Sequence, residues 1–313
     1  MPSCPTPQQS GHDSPAESRL RAGLPAPRQI STCNVVALIL MVTQLHAADL
    51  QHVMDRAMAD RAGAAVALDV DSGRIMASYH LKVAAQRLAP PGSTVKPFTL
   101  LAVLGSGAAA PSLVCRRKVP IGVRQMDCTH PSSPDALDAV GALAYSCNYY
   151  FASLARGLRN SDLVGALARA GLTSRTGLYE EEAVGEITAP ASVESRQLLA
   201  LGEGNILTTP LEMVWAYRKL ALQRKLSPIV RSGLEAATEY GTARLAQPRG
   251  VKVAGKTGTA LDPASGGAHA WFVGYAPANS PRIALVVFLE QGVGGRDAAP
   301  VARELFELAL PAP

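Results

Sequence analysis

No stretch of this sequence carries a dense run of like charge. Lysine is scarce, the basic residues are mostly scattered arginines, and a net charge of +5 is modest for 313 residues. Nucleic-acid binding therefore finds little support. Cysteine and histidine are also few, five and six residues, and no group of them has the spacing of a zinc site, so no metal is expected. The apolar run near the N-terminus, Val35–Val42, falls well short of the roughly 20 residues that span a membrane. Internal repeats are missing, which excludes a solenoid, and no linker follows residue 48. What remains is a globular chain long enough for one large domain or two small ones.

Residues 1–29 are polar and rich in Pro, Ser and Gln, a composition expected to have no fold of its own. Val35–Val42 resembles the apolar core of a signal peptide, with Arg28 before it and Ala47 and Ala48 behind it as a cleavage site. Residues 1–48 are thus expected to be a leader, cleaved or kept as an anchor, and residues 49–313 the working domain. Export to the periplasm or the outer face of the cytoplasmic membrane follows. Cys115, Cys128 and Cys147 remain in the mature chain. Two short strands around Pro120-Ile121-Gly122 should bring the first two side by side, so a Cys115–Cys128 disulfide is expected in that oxidising compartment.

Apolar spacing predicts a helix over Leu50–Arg61, then a hairpin of Ala64–Val70 and Arg74–His80 turning at Asp71-Ser72-Gly73. Strand patterns return at Val251–Ala254, Ala270–Tyr275 and Ile283–Glu290, and a last helix at Pro300–Leu310. Between about residues 97 and 240 the pattern is mostly helical. One helix start is sharply marked. Thr209 as N-cap, Pro210 at the first helical position and Glu212 three after the cap satisfy donors that a helix end leaves orphaned. Strands at both ends with helices between imply an α+β fold. One antiparallel sheet is built from the two termini and flanked by helices, with a helical lobe inserted.

Three short motifs stand in one order: Ser93-Thr94-Val95-Lys96, Ser146-Cys147-Asn148 and Lys256-Thr257-Gly258-Thr259. Chance alone gives roughly 0.5 matches to the first pattern and roughly 0.3 to the second, but only about 0.03 to Lys-Thr-Gly. Pro90-Pro91-Gly92 must bend the chain, so Ser93 falls at a helix N-terminus, where backbone donors favour a developing anion. Lys96 lies on the same face one turn later. A serine hydroxyl needs a base to become a nucleophile, and burial can make lysine that base. Ser146 could pass a proton to a leaving amine, with Asn148 holding a substrate amide or the lysine. Lys256, Thr257 and Thr259 could bind a carboxylate, while Gly258 leaves one strand face open to a substrate backbone. The N–H groups of Ser93 and Thr259 would form an oxyanion hole.

With these residues placed, the chain resembles a penicillin-binding protein transpeptidase domain, in the serine acyl-transferase superfamily that also holds serine β-lactamases. The likeness covers about residues 60–310. It runs through Pro91–Pro97, Ala144–Asn148, Glu182–Ile187, Thr208–Met213, Lys256–Ala260, His269–Pro277 and Gly294–Pro300. The resemblance implies a sheet sandwiched by helices, acylation of Ser93 by a D-Ala-D-Ala peptidoglycan stem peptide, and β-lactams as covalent inhibitors. It implies no cofactor, and it leaves His130 and His269 structural.

The leading expectation is a D,D-transpeptidase, in which D-alanine leaves and an amine from a second stem takes the acyl group. Water as acceptor would make it a D,D-carboxypeptidase. A β-lactamase could use a class A base near Glu180–Glu182 or, as in class D, a modified Lys96. A penicillin-sensing module would acylate once and signal. Wall-building members carry a further N-terminal pedestal or glycosyltransferase domain, for which this sequence is expected to lack room. Partners in wall synthesis stay open.

Overall fold

A computed structural model describes residues 49–132, 135–262 and 265–310. The expected leader, residues 1–48, lies outside them. Residues 49–58 are helical, and the expected hairpin follows as β1 (Gly63–Asp69) and β2 (Ile75–Tyr79). The C-terminal strands are β3 (Ala254–Leu261), β4 (Ala268–Ala276) and β5 (Ile283–Leu289). They join the hairpin in one antiparallel sheet of order β2-β1-β5-β4-β3. The register pairs Gly63 with Leu289 and Asp69 with Ile283. The first strand is thus closed by the last, as the strand patterns at the two ends imply.

The central strands read as unbroken apolar runs because both sheet faces are covered. Along β5, Ala284, Val286 and Phe288 enter one core, while Ile283, Leu285, Val287 and Leu289 enter the other. The second core is roofed by helices 49–58 and Ala299–Ala309, the latter burying Val301, Ala302, Leu305 and Phe306 along one stripe. Phe306 meets Phe272 of β4 edge-on, with ring centroids 6.2 Å apart. The first core lies under the helical lobe, where helix Pro210–Leu222 buries Met213, Val214, Tyr217 and Leu220.

That helix begins as the sequence specifies. Thr209 caps it, Pro210 opens it and the Glu212 carboxylate returns to Thr209 N at 2.9 Å. Glu212 also accepts from Gly185 N (2.7 Å) and Thr208 Oγ1 (3.0 Å). Thr208 bridges Ala89 through two backbone bonds of 3.0 Å. The capping box therefore anchors the segment that leads into Pro90-Pro91-Gly92.

The expected Cys115–Cys128 disulfide is not formed; both are free thiols, as is Cys147. The hairpin itself is present, pairing Pro120 with Gln125 and Ile121 with Arg124 around Gly122. Its register carries on through Met126 N to Val119 O and Cys128 N to Arg117 O, both 2.9 Å. Cys128 therefore sits opposite Arg117, and Cys115 lies two residues further on. Arg117 adopts a left-handed conformation (φ 63°) at that point, and the Cys115 sulfur still lies within 4.8 Å of the Cys128 sulfur without a bond between them. The Cys128 sulfur lies 3.8 Å from that of Cys147 as well, too far for a sulfur–sulfur bond.

Candidate active site

Ser93 sits in a short 3₁₀ turn, Gly92–Val95, that feeds directly into helix Lys96–Gly105. Pro97 falls in the first turn of that helix, where a missing N–H forfeits no intrahelical bond. The turn is clamped from four sides. Gly92 N donates to Gly202 O (3.0 Å), Thr94 Oγ1 to Pro91 O (2.7 Å), Tyr217 OH to Thr94 O (2.9 Å) and Trp271 Nε1 to Pro90 O (3.1 Å). Edge strand β3 lies against it backbone to backbone. A Cβ added to Gly258 would stand 2.7 Å from Pro91 O, closer than real Cβ contacts. Only glycine lets the Lys256-Thr257-Gly258-Thr259 strand approach the Ser93 turn this closely.

Lys96 is wholly buried. Its ammonium donates to Ser146 O (2.7 Å), Ser146 Oγ (3.1 Å) and Asn148 Oδ1 (2.5 Å). Burial draws its pKa down to about 8, against the opposing pull of Cys147, Cys128 and Glu203. No hydrogen bond joins Lys96 to Ser93 Oγ among the described residues, so the resting amine is held on the Ser146 side.

Ser146 follows helix Ala139–Ala144, whose N-cap Asp138 accepts from Gly141 N at 2.7 Å. Ser146 is left-handed (φ 56°), a strained conformation for a non-glycine residue, and bonds back through its N–H to Leu143 O at 3.2 Å. Asn148 then opens helix Asn148–Gly157 and donates to Met126 O at 3.1 Å. One amide side chain thereby ties the lysine to the strand that carries the Cys128 loop.

Lys256 is also fully buried, donating to Thr257 O (3.0 Å) and Thr242 Oγ1 (3.4 Å). Desolvation, and then the charge of Lys96, pushes its pKa well below the ordinary lysine value. Thr257 Oγ1 donates to Thr242 Oγ1 at 2.9 Å, and Thr259 Oγ1 accepts from Gly294 N at 3.1 Å. Ser93, Ser146, Asn148, Thr257, Gly258 and Thr259 all line one cleft of about 650 Å³. The structure thus brings together all three motifs, from three distant stretches of chain.

Two cleft residues escape sequence reasoning. Thr242 belongs to no motif and reaches Lys256 only because the turn after helix Pro228–Glu239 folds back against β3. Glu203 is buried, and desolvation raises its carboxyl while Arg124 (2.8 Å) opposes the shift. Glu180–Glu182 do not line the cleft. Glu182 instead accepts from Thr176 Oγ1 (2.7 Å), Leu178 N (2.8 Å) and Tyr179 N (3.0 Å), so its lone pairs are spent on holding a loop. Thr242→Val is expected to lower the rate of penicillin acylation about tenfold, as it strips a partner from both Lys256 and Thr257; stopped-flow quenching would measure it.

Residues 63–307 match the penicillin binding protein transpeptidase domain. The chain belongs to that family. Among relatives, the peptidoglycan D,D-transpeptidase PbpA of Mycobacterium tuberculosis is 30% identical, over 71% of this chain and 55% of its own length. FtsI of Escherichia coli, also named a peptidoglycan D,D-transpeptidase, is 28% identical over 66% of this chain and 40% of its own. The chain therefore spans about half the length of the curated relatives it matches. In fold it is similar to Pseudomonas aeruginosa PBP2 in complex with WCK 5153 (TM-score 0.73, 23% identity, 84% of this chain and 77% of that one). It is likewise similar to penicillin-binding protein A of M. tuberculosis as an imipenem acyl-enzyme (TM-score 0.71, 24% identity, 83% and 78%).

Proposed function

We propose that this chain is a peptidoglycan D,D-transpeptidase domain, residues 49–313, working outside the cytoplasm. The observation that carries the reading is the burial of Lys96 between Ser146 and Asn148 at the floor of the cleft lined by Ser93. As the free amine, Lys96 takes the Ser93 proton as Oγ attacks the penultimate D-Ala carbonyl of a stem peptide. Negative charge gathers on that carbonyl oxygen and is met by the N–H groups of Ser93 and Thr259, each such donor supplying roughly two to three decades in rate. Ser146, bonded to Lys96, passes the proton to the departing D-alanine nitrogen. Lys256, Thr257 and Thr259 hold the substrate carboxylate, and Gly258 lets the peptide lie along the open edge of β3. An amine from a second stem then takes the acyl group. The same names among its relatives and the same fold in β-lactam acyl-enzymes support this assignment.

A D-Ala-D-Ala pentapeptide donor and a D-amino acid acceptor, followed by mass spectrometry, test the acceptor. The expected products are D-alanine and the exchanged peptide. A hydrolysed product alone would make the chain a carboxypeptidase, and penicillin turnover within seconds a β-lactamase. The pH profile gives a second check. Lys96 must lose its proton to act, so the acylation rate should climb up to tenfold per pH unit and level off above about 8. A rate that falls across that range would place the base elsewhere.

A further inference from the structure

Cys115, Cys128, His130 and Cys147 come from three separate loops, yet their ligand atoms all lie within 4.8 Å of one another. The acyl-transfer chemistry uses none of them. We propose that these four side chains form a tetrahedral Cys₃His zinc site that pins the Ser146–Asn148 turn in place.

Four observations carry this. The donor set is the softest available to a divalent ion, and three sulfurs with one imidazole is a common closed structural zinc shell. The Cys128–Cys147 separation of 3.8 Å fits the geometry, because a tetrahedron with zinc–sulfur bonds of about 2.3 Å has edges of about 3.8 Å. His130 is only 8% exposed, and its Nε2 is a buried nitrogen with no hydrogen-bond partner. Its other nitrogen, Nδ1, donates to the Pro131 carbonyl at 2.8 Å, which fixes the tautomer that leaves the Nε2 lone pair free for a metal. Finally, the sulfurs are furnished with the backbone donors that thiolates take. Arg117 N points at Cys115 Sγ and Tyr149 N at Cys128 Sγ, each at 3.3 Å. The Arg117 guanidinium braces the same loop by donating to the carbonyls of His130 and Cys128.

Sequence spacing hides this site. Cys128 and His130 are close in the chain, but Cys115 and Cys147 are brought in by the hairpin and by the turn after helix Ala139–Ala144. A cavity of about 410 Å³, lined by Cys115, His130, Asp135 and Tyr145 among others, opens beside the cluster and gives an entry path. Binding displaces a proton from each thiol and leaves the imidazole neutral, so three thiolates and Zn²⁺ give a net charge of −1. That charge faces the buried Lys96 from behind the Ser146–Asn148 turn. A metal here would also keep the three thiols from pairing with one another outside the cytoplasm.

The test is metal content of the full chain, purified without added chelator and again after dialysis against zinc. Inductively coupled plasma mass spectrometry should find about one zinc per chain, falling below about a tenth in Cys128→Ser and in His130→Ala. Replacing zinc by cobalt should give thiolate-to-metal charge-transfer bands and the intense visible bands of a tetrahedral centre. Both readouts are independent of Ser93, so they stand whether or not the acyl-transfer assignment does. Free thiols at Cys115, Cys128 and Cys147, located by alkylation and peptide mass mapping, with no bound zinc would overturn the proposal. So would a disulfide mapped by peptide mass to two of these three cysteines. If the variants fail to fold, the wild-type metal content and cobalt spectrum still decide it.

Discussion

Ser93→Ala should abolish the covalent adduct with benzylpenicillin, with acylation slowed by about a million-fold, the loss seen when a serine nucleophile is removed from a comparable triad. Intact-mass spectrometry reads this directly. The substitution should leave thermal stability unchanged or slightly higher. No hydrogen bond to Ser93 Oγ is found among the described residues, so its loss strands no partner. Ser146→Ala should slow acylation by about 10² to 10⁴, the range for a proton-transfer group. It also removes one acceptor of Lys96, which keeps Ser146 O and Asn148 Oδ1. An adduct of undiminished rate on Ser93→Ala would place the nucleophile elsewhere and end the acyl-enzyme assignment.

The second large effect concerns backbone rather than chemistry. Gly202 is left-handed (φ +77°), and a Cβ there would stand 2.0 Å from Gly92 O and 2.7 Å from Gly92 C, atoms that cannot swing aside. Gly202→Ala is therefore expected to cost about 3 to 5 kcal/mol and to lower Tm by about 10 °C. It should also impair penicillin binding, since Gly202 O accepts the hydrogen bond that seats the Ser93 turn. Gly107 is the control. Its φ is +76°, but nothing lies within 4 Å of an added Cβ. Gly107→Ala pays only the conformational cost, about 1 kcal/mol. Differential scanning calorimetry on the pair separates steric clash from backbone strain. Equal losses in the two variants would mean that the contact between residues 92 and 202 is not rigid.

The sheet was legible from sequence because its signals are local: apolar runs bounded by turns at both ends of the chain, and the hairpin at Asp71-Ser72-Gly73. The start of helix Pro210–Leu222 was legible for the same reason, since cap, proline and carboxylate lie within four consecutive residues. The three motifs were legible as motifs, and their convergence followed from the fold class. What could not be read is non-local. Thr242 and Glu203 become cleft residues only through the way loops fold back. The disulfide expectation rested on the hairpin, which is present and brings the Cys115 and Cys128 sulfurs within 4.8 Å of each other. But a third thiol from outside the hairpin, Cys147, shares the cluster 3.8 Å from Cys128, and all three stay free. The left-handed Ser146 has no sequence signature either, as serine rarely adopts that conformation. Spacing sees only ligands near one another in the chain, so the clustering of Cys115, Cys128, His130 and Cys147 could not be read from it either.

The pairing of β1 with β5 has a consequence for biogenesis. Residues 63–69 can pair with β2 at once, but their other edge stays open until residues 283–289 exist, so the central ladder spans most of the polypeptide. Long-range closure of this kind makes folding slow and leaves apolar strand edges bare in any partial chain. A partial chain that stops before residue 283 therefore cannot close its central sheet, whatever else of it has folded.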